Sequence, residues 1–385
     1  MKLPQAFRMS NDMKLLLAAT LVAATAGAAQ MDADRVEWPR TDFSKHTIEL
    51  SEIESGGPPK DGIAPIDRPR FVDARVARAW LKPQEPVIAL RMGAQARAYP
   101  IQILMFHEIV NDTVNGVPVT VTFCPLCNAS ITFDRRVAGA TLDFGTTGRL
   151  RFSDLVMYDR QSESWWQQFT GRGIVGRYAG TELKRIASEI VAFEDFAAAH
   201  PAGLVLSRDT GFSRPYGRNP YAGYDRIDQS PFLFTGKSDS RLPPMERVLS
   251  VSIAGKHRLY PLGVLERHRA ANRELAGVPY VVLAKPGMAS PLDSERIEEG
   301  RAIAAATAFS RRLDGAVLEF TLRGGRTIDS RTGSEWNLLG EAVSGPLKGK
   351  RLAPLDSGVH FAFAWLAFNP DSEIVRALAQ GAGTP

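Results

Sequence analysis

An α+β fold of two related, strand-rich lobes is what the sequence predicts, from three observations. Short apolar runs rich in β-branched residues have strand length, a few helix-like segments fall between them, and motifs of the first half recur in the second. The 385 residues exceed one ordinary domain and suit two.

The leader comes first. Lys2, Arg8 and Lys14 precede the apolar run Leu15 to Ala24, and small residues follow through Ala26-Gly27-Ala28-Ala29. This charged, apolar and small-residue order is that of a secretory signal, expected over residues 1–29 with cleavage near Ala28 or Ala29. The run is too short for a membrane span. The expected mature protein is periplasmic or secreted, with no integral membrane segment after cleavage. An N-terminal extension over residues 30–64 follows.

Within the first lobe, residues 65–207, strands are expected at Pro86 to Leu90, Val117 to Phe123, Ser130 to Phe133 and Thr141 to Phe144. Pro100 to Asn111 reads as a helix entered through Tyr99-Pro100, because proline suits a first helical turn. A second helix is expected from Phe193 to His200. Residues 208–247, dense in Gly, Pro and Tyr, read as an ordered connector, since flexible linkers favour Gly and Ser over aromatics. The second lobe spans 248–372 and ends in a helix from His360 to Phe368; residues 373–385 form a tail.

The repetition is specific. At one constant offset Tyr99-Pro100 falls on Tyr260-Pro261, His107 on His268, and Gly116-Val117-Pro118 on Gly277-Val278-Pro279. Further on, Leu142-Asp143-Phe144 matches Leu318-Glu319-Phe320, while Asp159 and Trp166 match Asp329 and Trp336 at a larger offset. An insertion is therefore expected over 287–306, as an exposed loop with a short helix.

Composition excludes several functions. Hydrophobic residues make up 44% and charged residues 23%, as in a folded globular protein, and the net charge is only +5. No basic stripe with interleaved aromatics is present, so nucleic acid is not an expected partner. The chain has no phosphate-binding glycine loop, no His-Glu-x-x-His and no dinucleotide fingerprint. A Ser153, His107 and Asp159 triad can be written on paper, but no serine sits in a Gly-x-Ser-x-Gly elbow.

Both cysteines sit together in Phe123-Cys124-Pro125-Leu126-Cys127-Asn128. At the constant offset they fall on Lys285-Pro286-Gly287-Met288, so the sulfurs specialise the first lobe. The residues after Cys127 read as a returning strand, which places the dithiol on a tight turn. Thioredoxin-like pairs instead sit at a helix start, where the dipole lowers the thiol pKa.

Three readings of this turn compete. A soft metal ion, copper or zinc, would take Cys124 and Cys127 with His107 and Met157 as further ligands. Alternatively the pair is a thiol-disulfide oxidoreductase working with a periplasmic redox partner. Lastly, a structural disulfide would staple the turn of a non-catalytic module that binds a small ligand. For that ligand, Asn128, Ser153, Asp154, Asp159, Arg160 and Trp166 are the candidates, downstream of Gly145 to Gly148. Asp159 and Trp166 recur in the half that lacks cysteines, which equally suits a structural turn.

Four ordered motifs carry a resemblance. Val121-Thr122-Phe123-Cys124-Pro125-Leu126-Cys127-Asn128, Ser153 to Arg160, Tyr216-Gly217-Arg218-Asn219-Pro220-Tyr221 and Arg241 to Val248 together resemble the bacterial family catalogued as domain of unknown function 3179. The resemblance covers most of residues 65–370 and implies a family boundary without implying a reaction.

Overall fold

The computed structural model describes residues 34–378. The expected leader lies outside the described residues, as does the end of the tail. Strands dominate, arranged in several mostly antiparallel sheets with short helices between them. Among the described residues, no helix is long and apolar enough to cross a membrane.

Three larger sheets and the two-stranded pair Arg136–Val137 with Ala140–Thr141 build the described part of the cysteine-bearing half. The hairpin Pro86–Met92 and Gln95–Pro100 is central to a five-stranded sheet. Its Leu204–Leu206 strand runs parallel to Gln95–Pro100. A four-stranded sheet pairs Ile109–Val114, Val117–Cys124 and Ala129–Asp134, edged by Arg185–Ile186. Phe144–Arg151, Asp154–Asp159, Trp165–Gln167 and Gly173–Val175 make the third, with Ile53–Ser55 at its edge.

The other half lays down sheets in a corresponding order. Arg247–Ile253 pairs with Lys256–Pro261, Ala270–Leu275 with Val278–Ala289, and Phe320–Arg323 with Arg326–Asp329. Side-chain bonds recur as well. Asn111 Nδ2 donates to the Phe144 carbonyl and Asn272 Nδ2 to that of Phe320. Asp159 accepts from the Trp166 indole at 3.0 Å, and Asp329 does the same for Trp336 at 3.0 Å.

Three sequence expectations need correction. The helix expected over Pro100 to Asn111 covers only Ile101–Leu104, and Ile109–Val114 is a strand. The chain turns sharply at Glu108, whose φ is +57°, and β-branched residues then favour the extended state. Thr141 ends a two-residue strand, while Phe144 opens a separate one. The 287–306 stretch is not a plain exposed loop. Val278–Ala289 continues into it through a bulge, and Leu292 and Ile297 are fully buried.

The connector is ordered by charge as well as by rings. Asp225, whose side chain is fully buried, meets Arg247 at 2.7 Å and Arg301 at 2.8 Å. One apolar core contains Cys124, Cys127, Met157 and Trp166 together with Val248, Phe361 and Trp365, so both halves close around the cysteine turn.

Candidate functional site

The cysteine turn forms as its sequence dictates. Cys124 ends one strand, Pro125 to Asn128 make the turn, and Ala129 starts the partner strand. Pro125 fixes its own φ, and Asn128 takes the left-handed conformation at φ +49°, which asparagine tolerates better than most residues. The Asn128 N–H donates to the Pro125 carbonyl at 3.2 Å. In the neighbouring sheet, between Phe144–Arg151 and Asp154–Asp159, Phe152 and Ser153 also have positive φ, at +54° and +68°. This kink turns the Ser153 carbonyl toward both thiols, 3.5 Å from Cys127 Sγ and 3.8 Å from Cys124 Sγ.

Asp154 follows immediately. The two sulfurs and an Asp154 carboxylate oxygen lie within 4.8 Å of one another, all on buried residues, an arrangement that could hold a metal ion. Asp154 Oδ2 accepts from Gln167 Nε2 at 2.5 Å and from the Phe169 N–H at 2.9 Å. Its Oδ1 is buried with no N–H or O–H donor among the described residues. Both cysteines are free thiols, so the disulfide expected on one reading is not formed.

Among the described residues no cationic side chain contributes to the acidities of these groups, and burial governs them. Burial pushes the Asp154 carboxyl up to about 7, against the pull of its Gln167 and Phe169 bonds. Burial raises the Cys124 thiol, and the nearby Asp154 and Glu108 charges raise it further. Cys127 is raised well above the usual thiol range, again chiefly by burial. Both thiols therefore hold their protons at neutral pH, while Asp154 titrates there.

Glu108 is the residue that sequence reasoning missed. Its side chain is 7% exposed and has no hydrogen-bond partner among the described residues. Burial, with Asp154 adding repulsion, pushes its carboxyl up to about 8. It lines a cavity of about 610 Å³ that Leu126, Leu155, Tyr221, Tyr224 and Phe232 also line. The Cys-Pro-Leu-Cys turn thus reaches the cavity through Leu126, and Asp154 sits one residue behind its wall. At the rim, Gly148 has φ +70°, and a Cβ there would collide with the Pro58 carbonyl oxygen.

The remaining nominated residues separate into other roles. His107 is fully buried, and its Nδ1 donates to the Ala64 carbonyl at 2.6 Å. That leaves Nε2 to accept from the Tyr216 hydroxyl, also at 2.6 Å, so both ring nitrogens are occupied. Burial lowers its pKa in keeping with a neutral ring. His107 stands outside the metal-compatible group, and its sequence counterpart His268 is a half-buried residue at a helix end.

Met157 is a buried core residue in the cluster that contains both cysteines. Asp159 binds the Ser162 N–H and hydroxyl and the Trp166 indole, a turn lock repeated at Asp329. Arg160 pairs with Asp67 and Asp61 near the surface. Asn128 Nδ2 reaches the Val359 carbonyl at 3.4 Å, and the Ser153 hydroxyl donates to the Phe232 carbonyl. The candidate site is therefore Cys124, Cys127 and Asp154, which could hold a metal ion, with Glu108 and tyrosines of the connector in the adjoining cavity.

A family model described as protein of unknown function (DUF3179) matches residues 60–372. The chain belongs to this family. No curated protein and no solved structure matches it. The matched stretch of this DUF3179 member holds every residue of the site, from Glu108 to Tyr224.

Proposed function

We propose that this DUF3179 member binds one metal ion through Cys124, Cys127 and Asp154. The observation that carries the reading is the buried grouping of two sulfurs and a carboxylate within 4.8 Å. Ionised, these donors would carry three negative charges with no cationic side chain among the described residues acting on them, and burial of unpaired charge is prohibitively costly. A divalent ion would offset two of those three charges. Two sulfurs with one carboxylate oxygen suit zinc(II) better than copper(I), which prefers soft ligands throughout. Three protein ligands would leave a tetrahedral ion one further position.

We further propose that the protein works outside the cytoplasm after losing its leader, and that its halves arose by internal duplication, with 65–207 and 248–372 as the repeats. The recurring Asn111/Asn272 and Asp159/Asp329 bonds support the duplication. The thiol-disulfide oxidoreductase reading has less support, because burial raises both thiol pKa values and an attacking sulfur must be a thiolate.

Protein purified anaerobically is expected to take up one zinc per chain in equilibrium dialysis. Cys124→Ser with Cys127→Ser should abolish uptake, and Asp154→Asn should weaken it. Protein that holds no metal at any stoichiometry, but carries a disulfide stable to mild reductant, would overturn the proposal.

A further inference from the structure

Beside the thiol group, the cavity has a character of its own. Ile63, Leu126, Leu155 and Phe232 make its walls largely apolar. Two of its polar groups, the Glu108 carboxyl and the Tyr221 hydroxyl, have no hydrogen-bond partner among the described residues. Buried polar groups are normally satisfied, and an unpaired carboxyl 7% exposed is costly to keep.

Charge narrows what can occupy the space. Arg149, the arginine of the lining, is already paired with Asp34 and Glu37, so it is not available to an incoming anion. Once ionised, Glu108, with Asp154 behind it, would repel a carboxylate or phosphate. A neutral guest would fill the apolar volume but offer that ionised carboxylate no counter-charge. Only a cation supplies it, and Tyr221, Tyr224 and Phe232, whose aromatic rings can attract an organic cation, line the same space.

We propose that the cavity between the connector and the cysteine-bearing half binds an organic cation, an apolar body bearing one charged nitrogen, which pairs with Glu108 and packs on Tyr221 and Tyr224. The site is carried by Glu108 and the tyrosines and does not depend on metal binding.

Calorimetric titration of the full chain with phenethylamine, 2-phenylethanol and phenylacetate compares cation, neutral and anion of nearly one shape. At about pH 8.5 the amine is charged and Glu108, which titrates at about 8, is largely ionised, so the amine is expected to bind at least about ten-fold tighter than the other two. Glu108→Gln should erase that preference. Tyr221→Leu should weaken amine binding, and Tyr221→Phe, which keeps the ring, should not.

Equal or tighter binding of the alcohol or the acid would overturn the proposal. So would an amine preference that survives Glu108→Gln, or no binding of any probe; the wild-type comparison alone is decisive should a variant fail to fold. The same titration on Cys124→Ser separates this site from the metal group. There the preference should persist although zinc uptake is lost, and its disappearance from folded protein would also overturn the inference.

Discussion

The main-chain N–H of Phe361 donates to the carbonyl of Cys127 at 3.0 Å, which ties the cysteine turn to a strand of the opposite half. Asn128 adds a second tie through the Val359 carbonyl. The turn's shape is thus held from both halves, and its weakest point is the left-handed backbone of Asn128. Asn128→Gly should cost only the lost tie to Val359, about 1 kcal/mol, because glycine adopts that conformation freely. Asn128→Val should cost about 1–2 kcal/mol from backbone strain alone. Chemical denaturation of the two variants checks this, and equal stabilities would show that the turn is not so constrained.

Zinc uptake should be strongly pH-dependent, with a sign fixed by the donors. Burial holds protons on both thiols at neutral pH and puts the Asp154 titration at about 7. Each proton must leave before its atom can bind metal, so affinity rises with pH. The logarithm of affinity should climb by about three per pH unit below the Asp154 titration and by about two above it. Zinc competition with a chromophoric chelator across that range measures the slope. A pH-independent affinity would mean that the protonated thiols and Asp154 are not the ligands.

Glu108 should destabilise the metal-free fold. Its carboxyl titrates at about 8 when folded, far above an unfolded glutamate, so the folded state binds the proton more tightly. Stability from this group is complete below the unfolded pKa, falls as pH rises toward the folded value, and is lowest above it. Glu108→Gln should therefore be neutral near pH 4 and raise stability by about 1–3 kcal/mol near pH 8. Thermal unfolding at both pH values, with metal chelated, gives the comparison. A variant less stable at the higher pH would place Glu108 among the structural residues.

How much of this was legible in the sequence depends on the distance over which each signal acts. The Cys124 to Cys127 turn was readable because Pro125 and the apolar strands on both sides act locally, as did Pro86–Met92 and Phe193–Ala199. Asp154 was selected as a ligand-contacting residue, but its approach to the sulfurs depends on the kink at Phe152 and Ser153, which no periodicity announces. His107 looked like a metal ligand by residue type, yet Ala64 and Tyr216, brought in from distant segments, occupy its nitrogens. Glu108 stayed hidden inside a stretch that resembled a helix. Its significance is a matter of burial without a partner, which only the packed fold defines.

The thiols themselves provide the sharpest contrast between a metal site and an exchanging dithiol. Cys124 is 2% exposed and Cys127 is fully buried, and burial raises the pKa of each. Alkylation requires both access and thiolate, so metal-free native protein at neutral pH should react with iodoacetamide at least about ten-fold more slowly than the same chain in denaturant. Raising the pH should speed the native reaction, since more thiolate forms. Asp154→Asn should speed it as well, because a nearby carboxylate that disfavours thiolate is gone, and mass spectrometry can read both cysteines on one peptide. Rapid modification of Cys124 in the native state, unaffected by Asp154→Asn, would instead describe an exposed low-pKa nucleophile and favour thiol-disulfide exchange.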